Sequence, residues 1–363
     1  MVSMRHATVA IVLAAIGLSG CASDLVTKAV HNDRLNFNDA IVQSWNEQLL
    51  LNVVRLRYRD NPLFLEMGTV ITGYSLKGAS ALSGGTTFQS PLTGDWTLSL
   101  GGEYSTSPTL TYYPLQGEDY ATRMLSPISP STILYLSQSG WSIGRLMALC
   151  MQKANGIPNA PSAAGPTPEL APTYEQAQHL FEAMRVLQRE GLLETALDKD
   201  GRTVLLYLRK GNTAATDSAA SAVRAFLDLD PEAPAYRLVP SLVRGGKDEI
   251  AMMGRSLLSV MYFLSQGVDV PADDVTQGKV TVTRTADGRP FDWNLAIGRV
   301  FHVHSSVAEP TNAYVHVFYR GIWWSIPDAD LNSKTTFNLL TLLFNLKAAG
   351  KAAAEPFMSY PVR

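Results

Sequence analysis

Ala313-Tyr-Val-His-Val-Phe-Tyr319, Arg320-Gly321, Ile322-Trp-Trp-Ser-Ile326 is the stretch that decides the fold class. Two runs rich in β-branched and aromatic residues flank a two-residue turn, which is the pattern of an antiparallel hairpin. Shortly after it, Ser333 can cap a helix running to about Lys347. That helix is apolar nearly all round, through Phe337, Leu340, Leu343, Phe344 and their neighbours, so it belongs deep in a core. Local hairpins interspersed with helices, without strict β–α alternation, predict an α+β fold of helices packed on antiparallel strands.

Upstream, Lys279–Arg284 and Arg299–Ser305 read as further strands. Asp248–Gln266 reads as one helix, with Ile250, Met253, Leu257, Met261 and Leu264 on a single face. Lys210–Ser221 is polar and reads as a loop. Leu192–Leu197 and Val204–Leu208 form a hairpin about Asp200-Gly201. Before it, Thr173-Tyr-Glu-Gln176 has the spacing of a capping box, opening a helix that buries Leu180, Phe181, Met184 and Leu187 and stops at Gly191. Residues 157–172 hold five prolines among Ala, Ser and Gly and read as a linker between two packed regions.

The first region, 38–156, starts with a helix entered at Asn38-Asp39 and stopped by Asp60-Asn61-Pro62, striped by Ile41, Trp45, Leu49, Val53 and Leu56. Phe64–Leu115 then changes to Gly, Ser and Thr with alternating Val70, Thr72, Tyr74 and Trp96, Leu98, Leu100. Two readings stay open for it. One is a twisted antiparallel sheet. The other is an amphipathic hairpin that enters an outer membrane as part of a barrel shared by several chains. Residues 117–156 read as short helices broken by Pro127 and Pro130.

The N-terminus carries an address. Arg5 precedes an apolar run, Ala7–Leu18, too short for a stop-transfer helix. It ends in Leu18-Ser19-Gly20-Cys21, which closely resembles the bacterial lipobox. Residues 1–20 are therefore expected to be a signal peptide, Cys21 the site of covalent lipid attachment, and 21–37 a lipidated tether. Ala22-Ser23 carries no Asp after the cysteine, which implies sorting to the outer membrane, facing the periplasm.

Charged residues make up only 17% of the 363-residue chain and the net charge is −2, so nothing draws the whole molecule to nucleic acid. Of two cysteines, Cys21 is taken by lipid, and Cys150 sits in an apolar helical pattern as a small buried hydrophobe. Nucleophile-elbow, zincin, Cys-x-x-Cys, phosphate-loop and dinucleotide motifs are all missing. Asp328-Ala-Asp330-Leu-Asn332 begins like a calcium loop, but Ser333 and Leu339 stand where Gly and Glu are required. Arg244-Gly-Gly-Lys247 lacks the remainder of a phosphate loop. Helix plus wing over Leu187–Arg209 suggests a DNA-binding module, but Glu190, Glu194, Asp198 and Asp200 cancel its cations.

His302-Val-His304 supplies two imidazoles to one face of a strand, and His316 joins them if residue 302 pairs with 316, making a metal site of His302, His304 and His316. Glu309 is the nearby carboxylate. Phe318, Tyr319, Trp323 and Trp324 cluster at the hairpin turn, and Tyr319, Trp323 and Trp324 could stack on sugar rings, although neighbours on a strand face opposite ways.

Two segments, Asn46-Glu-Gln-Leu-Leu-Leu-Asn-Val-Val-Arg-Leu-Arg-Tyr-Arg-Asp60 and Tyr319-Arg-Gly-Ile-Trp-Trp-Ser-Ile-Pro-Asp328, resemble parts of uncharacterised bacterial envelope proteins. The resemblance implies the same compartment and no particular activity. The leading expectation is a non-catalytic, lipid-anchored envelope subunit that binds other envelope proteins or its own copies, with no cofactor beyond the lipid. A glycan-binding lipoprotein and a metal-dependent hydrolase are the alternatives. The organisation expected is signal peptide, tether, region 38–156, linker 157–172 and an α+β domain over 173–363.

Overall fold

The computed structural model describes residues 35–84, 96–297 and 300–348, with backbone alone for 68–110. The expected signal peptide, Cys21 and most of the expected tether fall in residues 1–34, outside the described residues. Helix α1 fills residues 35–57. Leu49, Leu50, Val53 and Val54 on it are fully buried, each worth about 2 kcal/mol of apolar burial. The helix is already formed at residue 35, so Asn38-Asp39 lies inside it and does not start it. Its end is set by Arg59, which takes the left-handed conformation at φ 60°.

The described residues divide into two units, one comprising the chain up to Pro62 with Ala121–Ala349, the other Leu63–Tyr120. This replaces the division at 157–172. Within the second unit, β1 (Leu65–Gly84) pairs antiparallel with β2 (Trp96–Pro114), and a short helix α2 (Gly117–Tyr120) follows. The strands have 20 and 19 residues, against a usual length of about five or six. The register shifts once, between Met67 and Val70, near the base of the ribbon.

The first unit continues through a π-helical turn (Ala121–Leu125), α3 (Pro130–Gln138), α4 (Ile143–Cys150), β3 (Met151–Ala154) and β4 (Ile157–Pro158). A 3-10 turn, Pro161–Ala164, leads to α5 (Glu175–Arg189), β5 (Leu193–Leu197), β6 (Val204–Leu208), α6 (Ala214–Phe226), β7 (Tyr236–Val239) and β8 (Glu249–Gly254). These strands form one six-stranded sheet in the order β4-β3-β8-β7-β6-β5, antiparallel except where β7 and β8 run parallel. Then come α7 (Leu257–Ser265), α8 (Ala272–Thr276), α9 (Trp293–Ile297) and a three-stranded antiparallel sheet of β9 (His304–Ser306), β10 (Ala313–Tyr319) and β11 (Ile322–Pro327). Helix α10 (Leu331–Ala348) buries Phe337, Leu339, Leu340, Leu343 and Phe344. Phe344 meets Trp45 of α1 edge to face at 4.9 Å. The fold is α+β.

Residues 157–172 are no linker. Ala160 and Ala163 are fully buried, and Thr167 is 2% exposed. The Thr167 hydroxyl accepts hydrogen bonds from Arg57 (3.3 Å) and Gln266 (3.2 Å), and the 3-10 turn packs against α7. Proline here stiffens a packed loop instead of extending a free one, because its fixed φ restricts the segment while polar groups beside it, Thr167 and the Pro168 carbonyl, find partners elsewhere in the fold.

Four further expectations change. The single helix over Asp248–Gln266 is instead β8 followed by α7, with Arg255 between them. Ile250, Ala251 and Met252 are buried in the sheet, and Ser256 caps α7 through the Ser259 amide. A run of apolar residues fits a buried strand and a helix equally, so periodicity alone misassigned it. Lys210–Ser221 is largely helical rather than loop, because Thr213 and Thr216 close a reciprocal capping box on α6. Lys279–Arg284 forms no strand, only isolated bridges from Arg284 to Leu170 and Pro290. Of the strand expected over Arg299–Ser305, Arg299 lies outside the described residues, and among 300–306 the strand covers His304–Ser306.

Two caps also move by a residue or more. The N-cap of α5 is Tyr174 without a side-chain bond, so Thr173 makes no capping box there. Asp330, not Ser333, opens α10, accepting from the Ser333 amide at 3.0 Å and the Ser333 hydroxyl at 2.5 Å.

Candidate functional site

Val303 is fully buried and lies beside the loop after α7. Its N–H donates to the Gly267 carbonyl (3.0 Å), and its own carbonyl accepts from the Asp269 N–H (2.9 Å). With Val303 pointing inward, His302 and His304 point outward on the same side. The parallel bridge sets Asp269 against both. His302 Nε2 lies 2.8 Å and His304 Nδ1 3.7 Å from Asp269 Oδ2, and the two imidazoles stack with centroids 4.3 Å apart. The close approach depends on Gly267, where a Cβ would come within 2.6 Å of the Phe301 carbonyl oxygen.

One nitrogen from each histidine and one Asp269 oxygen all lie within 4.8 Å of one another, a span that one ion can bridge. The hydrogen bond to Asp269 raises the His302 pKa above the ordinary histidine value, against the opposing effect of burial. The Asp269 carboxylate thus favours the protonated form of His302, and a metal ion taking the same nitrogen would have to displace that proton.

His316 does not join them. Strand β11 lies between β9 and β10, and Ser325 pairs with His304 on one side and His316 on the other. The two histidines share a face but stand two strand spacings apart, about 10 Å. His316 Nε2 is instead 3.5 Å from Glu309 Oε1, and its ring is 5.3 Å from that of Trp323. Asp269, absent from the expected ligand set, carries no local signal in the sequence. It lies more than thirty residues before His302, and only the bridge to Val303 brings it in.

The aromatic trio also divides. Trp324 is fully buried and donates from its indole to the Tyr319 carbonyl at 3.0 Å. Tyr319 shares that inner face, and its hydroxyl donates to Asp60 Oδ2 at 2.6 Å. Trp323 alone of the three lies on the outer face, half-buried, with the exposed Phe318 ring 5.1 Å away. The surface aromatic group is thus His316, Phe318 and Trp323, spaced two apart along β10 and opposed across the hairpin.

The inner face joins two segments far apart in the chain, 46–60 and 319–328. Arg320 donates to Asp60 (2.8 Å) and lies over the Tyr58 ring at 4.6 Å, and Tyr58 meets Trp324 edge to face at 5.8 Å. Burial pushes the Asp60 carboxyl up, but the bonds from Tyr319 and Arg320 outweigh it and hold the group below the ordinary aspartate value. Tyr58 donates to Asp274 (2.7 Å), which Lys279 also reaches at 2.7 Å. These contacts bind the end of α1 to the β10–β11 turn.

No family model, curated protein or solved structure matches this chain.

Proposed function

We propose that this chain is a lipid-anchored subunit of the bacterial cell envelope, held by lipid on Cys21 and facing the periplasm from the outer membrane. It acts without catalysis, by binding other envelope proteins or further copies of itself. The observation that carries this reading is the β1–β2 ribbon, whose outer edges pair with no other strand among the described residues. Long free edges present rows of backbone donors and acceptors that template pairing with another chain. Affinity purification of the full-length protein from gently solubilised membranes, with partners identified by mass spectrometry and size by light scattering, tests it. A defined complex is expected. A monomer without partners overturns it.

A second reading is favoured by the convergence of Asp269, His302 and His304. Three protein ligands would leave a coordination position open, as catalytic zinc sites require. Zinc loading followed by desalting should leave bound metal that His302→Ala and His304→Ala abolish and His316→Ala does not. Metal-free protein after loading ends this reading. Glycan binding, the remaining alternative, rests on Trp323, and a peptidoglycan pulldown unchanged by Trp323→Ala would count against it.

A further inference from the structure

Resting on the assembly reading above, we propose that the β1–β2 ribbon crosses the hydrocarbon core of a bilayer, its two edges pairing with ribbons from further copies of this chain in one closed barrel.

The register carries the case. Val70 opposes Leu110, Leu76 opposes Tyr104, and Leu82 opposes Leu98. Directly opposed residues share a face, and successive residues alternate between faces. Leu100 and Tyr74 fall on this same face. The other face carries Ser75 opposite Ser105, Ala81 opposite Ser99, and Ser83 opposite Thr97. Lys77 and Glu103, the charged residues between Met67 and Tyr113 in the two strands, oppose each other on that second face. One side therefore holds most of the large apolar residues and no charge, with Thr72, Ser80 and Thr106 its polar members, while the other is mostly small or polar, with Ile71 its large apolar member. Lipid-exposed barrels need that division, with the polar side turned to the lumen.

The dimensions agree. From Val70–Leu110 to Leu82–Leu98 the apolar band runs about 40 Å along the strands. At the usual barrel tilt this spans about 30 Å, the thickness of a hydrocarbon core. On β2, Trp96 and Tyr112 bound the band on the same face, and Tyr112 is 45% exposed. Aromatic residues at both borders mark the two membrane interfaces. The free edges require partners, because unpaired backbone groups are not tolerated in hydrocarbon. One chain contributes two strands, and the smallest such barrels have about eight. Closure therefore needs about four copies or more.

The test uses the full-length protein reconstituted in phosphatidylethanolamine–phosphatidylglycerol vesicles. Single cysteines replace Leu98, Leu100 and Tyr104 on one face, and Ser99, Gly101 and Ser105 on the other, each carrying an environment-sensitive fluorophore. Doxyl-labelled lipid should quench the first set, and aqueous iodide the second, in strict alternation, with an oligomer seen by light scattering. Leu98→Asp with Leu100→Asp should abolish insertion, while Ser99→Asp keeps it. Protection of the buried Cys150 in each variant reports that the rest of the chain is folded. Oligomers without alternation, as when a soluble protein covers the apolar face, overturn the ribbon's membrane crossing and leave the assembly reading standing. Monomers without alternation overturn the membrane crossing and self-assembly together, and a monomer that also brings down no envelope protein from solubilised membranes overturns the assembly reading. Alternation in a chain that stays monomeric in the bilayer overturns the shared barrel.

Discussion

Arg255 and Cys150 show how single residues are held in this core. Both are fully buried. Among the described residues no carboxylate meets Arg255. Its guanidinium donates instead to the carbonyls of Ala148 (2.8 Å) and Leu149 (3.0 Å), at the negative end of α4, and stacks over Phe263 at 4.0 Å. Burial lowers the Arg255 pKa to about 9, and burial pushes the Cys150 thiol up to about 12. At pH 8, Cys150 should therefore resist maleimide in the native protein and react fully in denaturant, read by mass spectrometry on a Cys21→Ser variant. Asp60 gives the pH-dependent counterpart. Its pKa is lowered in the fold, so its contribution is complete above the unfolded value of about 4 and is lost as pH falls through the folded one. Thermal melts of the wild type should lose stability on acidification over that window. Asp60→Asn should start less stable at pH 7 and show a shallower acid dependence.

At the scale of elements, close approaches decide where strands can lie. At Gly254, the last residue of β8, an added Cβ would press into the carbonyl oxygen of Ile128, which is backbone and cannot yield. Gly254→Ala is expected to destabilise by about 1–3 kcal/mol, measured by urea denaturation at constant m-value. The same contact explains why β8 stops there. Arg255 turns its N–H to the Cys150 carbonyl, Ile128 donates to the Arg255 carbonyl at 2.9 Å, and Ser256 then caps α7. None of this is visible to a periodicity count, which joins strand and helix into one apolar run. Helix α6 escaped for the opposite reason. Its alanine-rich stretch gives a weak stripe, and the signal lay in the Thr213–Thr216 cap pair.

At the scale of the molecule, the ribbon forms its own unit, distinct from the remainder. Its ends are held together, since the Leu115 N–H donates to the Phe64 carbonyl at 2.8 Å. Replacing 66–113 with a short Gly-Ser linker should therefore close easily. The melting temperature and Cys150 protection of the excised protein should match the full chain, while any oligomer built through the ribbon should disappear. A lower melting temperature with exposed Cys150 would mean that the ribbon is needed for the fold of the rest.

What the sequence determined alone was local: the hairpins about Asp200-Gly201 and Arg320-Gly321, the stripe of α1, the buried character of Cys150 and of α10, and the α+β class. Each depends on residues a few positions apart, where alternation, helical spacing and turn chemistry act directly. The tertiary structure decided what joins distant parts of the chain. It inserted β11 between His304 and His316, drew Asp269 to the histidine pair through Val303, turned the proline-rich 157–172 into a packed loop around Thr167, and tied Asp60 to Tyr319 and Arg320. Those outcomes follow from strand order and from the pairing of buried polar groups, and neither leaves a mark at fixed spacing in the sequence.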